Sequence, residues 1–154
     1  MRTRFGPLLF LVVCTLGAGF LGSLFPPGEW YAALAKPAWN PPGWVFGPVW
    51  AALYVMMAIA AWLVWSRGGF TAARGAMGLY LFQLILNALW SFLFFGLQRP
   101  DLAFVDVVLL WLAILATLIV FARIRGAAGM LLIPYLAWVG FAVVLHLAIW
   151  RLNA

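Results

Sequence analysis

Charge is what this chain has least of. Only 8% of its 154 residues are Asp, Glu, Lys or Arg, while 68% are apolar; a soluble domain carries roughly 25% charged residues. So little charge cannot clothe a water-exposed surface, and the solvent that fits is lipid. Acids are scarcest, with Glu29, Asp101 and Asp106 the full set. No paired carboxylates for acid–base work, no credible nucleophile with a base and no Gly-rich phosphate loop are present. One cysteine, Cys14, rules out an intrachain disulfide. One histidine, His146, lacks a partner at ligand spacing, so no metal site is expected. An internal repeat is also missing, which weighs against the duplicated build of many transporters. The net charge of +6 comes from nine basic residues scattered singly or in pairs, which excludes nucleic acid as a partner and fits the bias of membrane loops.

What the chain has is long apolar runs. They predict an all-α membrane protein, one domain over 1–154 with five transmembrane helices near 5–25, 43–65, 77–97, 102–122 and 129–150, and a long Pro/Trp-rich loop after the first. Residues 5–25 carry no charge, and at 1.5 Å per residue they span about 31 Å, enough for a hydrocarbon core of about 30 Å. The same stretch also reads as a signal peptide with Arg2 and Arg4 at its basic end. Its length and the poor cleavage site at Phe25-Pro26-Pro27 favour a retained helix. Polar breaks fall at Ser66-Arg67-Gly68-Gly69, at Gln98-Arg99-Pro100-Asp101 and at Arg123-Ile124-Arg125-Gly126. Arg2, Arg4, Arg67, Arg74, Arg123 and Arg125 share one side, against Lys36, Arg99 and Arg151 on the other. In a bacterial cell membrane this puts the N-terminus in the cytoplasm and the Trp/Pro loop outside.

Chemical interest concentrates at 39–50. Pro41 and Pro42 force an extended approach to a helix. Pro48 sits in that helix's first turns, where a missing donor costs little. Trp39, Trp44 and Trp50 supply flat faces that suit a membrane interface or a planar ligand. Gln83, Asn87 and Ser91 recur at i, i+4 and i+8, with Tyr80 and Trp90 beside them, a polar stripe that must face the bundle interior. It serves either as interhelical glue or as ligand contact. Phe46, Trp50, Tyr54 and Met57 line one face of the second segment; Tyr135, Trp138, Ala142 and His146 line one of the fifth. Should these faces meet, they make an aromatic cleft with a few polar groups, ordinary core packing being the other reading. Asp106, near its helix start, is expected to reach the headgroups and suit the helix dipole. Ala18 with Gly22, and Gly19 with Ser23, are small-xxx-small pairs for close helix contact within the bundle or between protomers.

Lys36-Pro37-x-Trp39-x-Pro41-Pro42-x-Trp44-x-Phe46-x-Pro48-Val49-Trp50-x3-Tyr54 closely resembles the signature of the TspO/MBR family, the tryptophan-rich sensory and translocator proteins that include the peripheral-type benzodiazepine receptor. The likeness continues in Asn87-x2-Trp90-Ser91-x2-Phe94-Phe95 and in Pro134-Tyr135-Leu136-x-Trp138-x2-Phe141-Ala142, and covers nearly the whole chain. The resemblance implies a five-helix bundle, usually a homodimer, binding porphyrins such as protoporphyrin IX or haem as ligand, with no cofactor required. It also implies a ligand site of Tyr31, Trp39, Trp50, Tyr54, Asn87, Trp90 and Trp138, with Gln83, Tyr135 and His146 as further candidates. A sensor, regulator or transport factor follows, with two alternatives. One is a light- and oxygen-dependent porphyrin-degrading enzyme using Trp50 and Trp138; the other is a small-molecule or sterol carrier or channel. Two departures stand out. His146 replaces the family's common asparagine, and the sterol pattern of animal members lacks its tyrosine between Leu145 and Arg151, which leaves sterol binding unsupported.

Overall fold

The computed structural model describes residues 5–67 and 73–154. Arg2, Arg4, Gly68 and Gly69, used above for orientation and for a turn, lie outside them. Five helices long and apolar enough to cross a membrane are found among the described residues. The first is α1 (Phe5–Ser23). A short helix, α2 (Glu29–Ala33), interrupts the long loop. Next come α3 (Gly43–Trp65), α4 (Arg74–Ser91), α5 (Pro100–Ile124) and α6 (Gly126–Leu152).

The ends follow from local chemistry. Pro42, in extended geometry, precedes α3, because a proline cannot continue a helix backward through its own missing donor. α4 closes in a π-helical turn, Phe92–Gly96, in which the Leu97 amide donates to the Phe92 carbonyl at 2.8 Å. Gln98 then takes a left-handed φ of 54°, and Arg99 leaves the helical region ahead of Pro100, with φ −115° and ψ 82°, as the ring of a following proline favours. Between α5 and α6 only Arg125 leaves the helical path. That hairpin needs a glycine: a Cβ on Gly129 would stand 2.5 Å from the Ala122 Cβ. α5 and α6 run slightly beyond the expected 102–122 and 129–150 at both ends and α4 starts before 77, whereas α3 matches 43–65 and α1 stops at Ser23, short of 25.

Successive spans alternate in direction and close into a ring. α1 packs on α3 and α4, α3 on α6, α6 on α5, and α5 on α4. The two ends of the ring are filled differently. Away from the long loop, Val64, Met77, Tyr80, Phe121, Ala128 and Leu132 form a solid core, with the Tyr80 and Phe121 rings stacked at 6.0 Å. The Thr15 hydroxyl donates to the Leu11 carbonyl and accepts a hydrogen bond from the Tyr80 hydroxyl. Toward the long loop the ring is hollow. Outward, α1 exposes Phe5, Leu9, Val13 and Phe20, apolar side chains that belong in hydrocarbon rather than water.

One expectation fails here. Asp106 does not reach the headgroups. It is 4% exposed, packed in the bundle, and neither carboxyl oxygen has a hydrogen-bond partner among the described residues. The reason is rotational: Asp106 falls on the buried face of α5 with Ala103, Val107 and Leu110, so proximity to the helix start does not free its side chain.

Candidate functional site

The hollow half is a cavity of about 570 Å³, within the roughly 300–1,000 Å³ of small-molecule sites. Every transmembrane helix contributes to it. Trp50 and Tyr54 come from α3, Asn87 and Trp90 from α4, Trp138 and His146 from α6, Val107 and Leu110 from α5, and Gly19 and Gly22 from α1. The long loop closes one end with Pro26, Pro27, Tyr31, Asn40 and Pro41. No acid, lysine or arginine is among the lining residues, so shape, aromatic faces and hydrogen bonds select what enters.

Its floor is a directed chain of hydrogen bonds. The Tyr54 hydroxyl donates to Asn87 Oδ1 at 2.8 Å, and Asn87 Nδ2 donates to the Tyr135 oxygen at 2.7 Å. The Tyr135 hydroxyl donates to Gln83 Oε1 at 2.8 Å, and Gln83 Nε2 ends the chain on the Met57 sulfur at 3.8 Å. Each hydroxyl has one proton to give. The Tyr54 proton is therefore spent on Asn87 and the Tyr135 proton on Gln83. The chain answers the question left open for the polar stripe. Gln83 is glue, Asn87 is both glue and cavity lining, and Ser91 lines the cavity.

A second wall is aromatic. Trp90 stacks on Phe94 at 5.1 Å with planes 10° apart, and Phe95 stands edge-on to both. The π-helical turn lets Phe94 and Phe95, neighbours in sequence, both line the cavity. His146 joins this wall. Its Nε2–H donates to the Pro100 carbonyl at 2.8 Å, which leaves Nδ1 to accept from Trp90 Nε1 at 3.4 Å. The imidazole thus ties α4, α5 and α6 together. Across the cavity Trp138 meets Phe46 edge-on at 5.8 Å, and Trp50 lies 5.6 Å from Tyr54.

The lid is held from two directions. Lys36 Nζ donates to the carbonyls of Tyr31 at 2.7 Å and Leu34 at 3.1 Å, capping α2, and lies 4.5 Å from the Tyr31 ring centre. Asn153, just past α6, accepts from the Ala35 amide at 2.9 Å and donates to the Ala35 carbonyl at 2.8 Å. Burial pushes the Tyr31 phenol above its usual range, an effect the Asn40 side chain partly offsets. Asn40 Oδ1 is itself buried and without a partner among the described residues.

Of the residues expected at the site, Tyr31, Trp50, Tyr54, Asn87, Trp90, Trp138 and His146 line the cavity. Trp39 does not. It is 49% exposed and packs edge-on to Phe141 at 5.8 Å, on the outer flank of the lid. Gln83 and Tyr135 do not line the cavity either; they are the deeper members of the floor's hydrogen-bond chain, behind Asn87 and each 1% exposed. Phe94, Phe95 and the two α1 glycines line the cavity without having been singled out for it. The double phenylalanine was legible only as a motif, and the glycines only as close-contact residues. Gly19 makes that contact on Tyr54, and Gly22 makes it on Ser91, both within the bundle.

Comparison with known proteins agrees with this architecture. A family model for the TspO/MBR family matches residues 10–151. The chain is 45% identical to the tryptophan-rich protein TspO of Chlorobaculum tepidum, over 95% of this chain and 97% of that one. It is 44% identical to the translocator protein of Homo sapiens, over 94% and 88%, and 40% identical to the tryptophan-rich sensory protein of Cereibacter sphaeroides, over 95% and 90%. With five membrane-crossing helices and matches of this extent, the chain is an integral multi-pass membrane protein and belongs to the TspO/MBR family.

Proposed function

We propose that the protein binds a planar tetrapyrrole, a porphyrin or haem, in the cavity beneath the long loop, and acts as a sensor, regulator or transport factor for it. The observation that carries this reading is the convergence of Trp50, Trp90 and Trp138 on one uncharged cavity of about 570 Å³. A flat macrocycle stacks on indole faces, which offer large contact area at low entropic cost. Tyr54, Asn87 and Asn40 add polar groups to the same lining. Homodimerisation and a bacterial cell membrane with a cytoplasmic N-terminus belong to the same proposal. Titration of the purified protein with protoporphyrin IX, followed by tryptophan quenching, tests it: saturable binding weakened by Trp50→Phe and Trp138→Phe is expected.

A second reading, porphyrin breakdown under light and oxygen, rests on Trp50 standing in the cavity wall against Tyr54 and, 6.2 Å away, Tyr135. Bound porphyrin then bleaches faster in wild type than in Trp50→Phe, and equal rates remove this reading.

A further inference from the structure

The Tyr54 phenol reaches Asn87 because α1 carries no side chain at position 19. A Cβ built on Gly19 would stand 2.9 Å from Tyr54 Cε2, 3.2 Å from Cζ and 3.4 Å from Cδ2, so one edge of the ring rests on bare helix backbone. Such an approach leaves no room for a methyl group, and something must move. The ring cannot yield freely. Its hydroxyl is committed to Asn87 at 2.8 Å, its face lies 5.6 Å from Trp50, and Asn87 is tied onward to Tyr135. The contact belongs to this glycine alone on α1. Gly17 meets nothing within 4 Å, and Gly22 meets Ser91 Oγ at 3.3 Å.

We propose that Gly19 is a positioning residue for the ligand site: its missing side chain seats the Tyr54 ring against α1, which sets the phenol's bond to Asn87 and so the polar floor of the cavity. A methyl group at 19 turns the ring off α1, stretches that bond and narrows the cavity that Gly19 and Tyr54 both line. The effect on ligand affinity rests on the function proposed above, whereas the effect on Asn87 does not.

The test uses the full chain in detergent, labelled with 15N-asparagine. The three asparagines, Asn40, Asn87 and Asn153, give three side-chain amide signals, with that of Asn87 assigned by Asn87→Asp. Gly19→Ala is expected to move the Asn87 amide as Tyr54→Leu does, to add no shift on the Tyr54→Leu background, and to be unlike Gly17→Ala, which leaves the signal in place. Affinity for protoporphyrin IX is expected to fall roughly fivefold in Gly19→Ala, the worth of one hydrogen bond. An Asn87 amide unmoved by Gly19→Ala, or a shift that persists undiminished on Tyr54→Leu, overturns the proposal. Should Gly19→Ala fail to fold, Gly19→Ala with Tyr54→Leu is expected to fold, and failure of the pair also overturns it. A wild type that does not bind protoporphyrin IX removes the proposed ligand and leaves the amide measurement to decide this question.

Discussion

The Tyr54 hydroxyl on α3 donates to the amide oxygen of Asn87 on α4 at 2.8 Å, and this bond marks the boundary between the hollow and the solid halves of the bundle. Above it lie the indoles and the lid; below it lie Tyr135, Gln83 and Met57, all at or below 1% exposure. In a bilayer no water stands by to satisfy a polar group that loses its partner. A floor made of mutually satisfied amides and phenols is therefore rigid, and its members act together.

Cutting the chain at its centre is expected to cost more than cutting it at its end. Tyr135→Phe leaves Asn87 Nδ2 and Gln83 Oε1 buried without their partner, a loss of about 1–3 kcal/mol. Tyr54→Phe removes one donor beside a cavity and costs about 1 kcal/mol. Reversible unfolding in mixed detergent measures both, and equal or inverted losses contradict the chain.

Asp106→Leu is expected to hold or raise stability. The native carboxyl is buried with neither oxygen partnered, so an apolar side chain of similar size removes a desolvation cost of about 1 kcal/mol or more. A clear fall in unfolding midpoint shows that the carboxyl has work to do in the bundle.

The lid is expected to loosen when its latch is removed. Asn153→Ala deletes both exposed hydrogen bonds to Ala35 and the one that caps the Ile149 carbonyl at the end of α6, which together contribute little to global stability. Hydrogen exchange at the Ala35 amide is expected to accelerate and protoporphyrin IX to dissociate severalfold faster, with the unfolding midpoint unchanged. A slow, wild-type dissociation rate in Asn153→Ala excludes the latch.

The His146 bridge gives a further expectation. His146→Leu leaves the Trp90 indole N–H and the Pro100 carbonyl without this partner, and a loss of about 1–2 kcal/mol follows. His146→Asn, shorter but still polar, is expected to recover part of it. Indistinguishable unfolding midpoints for the two variants contradict the bridge.

Much of this arrangement was legible in the sequence because hydrocarbon enforces strict rules. Runs such as 102–122 have no alternative to crossing, and amides at 83 and 87 must turn inward. Rotation about a helix was harder to read. Asp106 sits close to a helix start, and only the packing of α5 on its neighbours decides that it faces in. Trp39 shares a motif with Trp50, yet the chain around it is loop, where no helical period fixes a direction; it packs on Phe141 from outside. Gln83 and Tyr135 were legible as inward-facing, but their depth behind Asn87 depends on how three helices meet. The π-helical turn that carries Phe94 and Phe95 to the same wall breaks the 3.6-residue period on which any such reading rests.

The most direct test of the whole account is the protoporphyrin IX titration of detergent-solubilised wild type beside Trp50→Phe and Trp138→Phe, read by quenching of the remaining tryptophans. Saturable one-site quenching in wild type, with a Kd raised roughly tenfold or more in each variant as stacking contact is lost, is the expected result. Absence of saturable binding, or binding that neither variant weakens, contradicts a tetrapyrrole seated among those indoles.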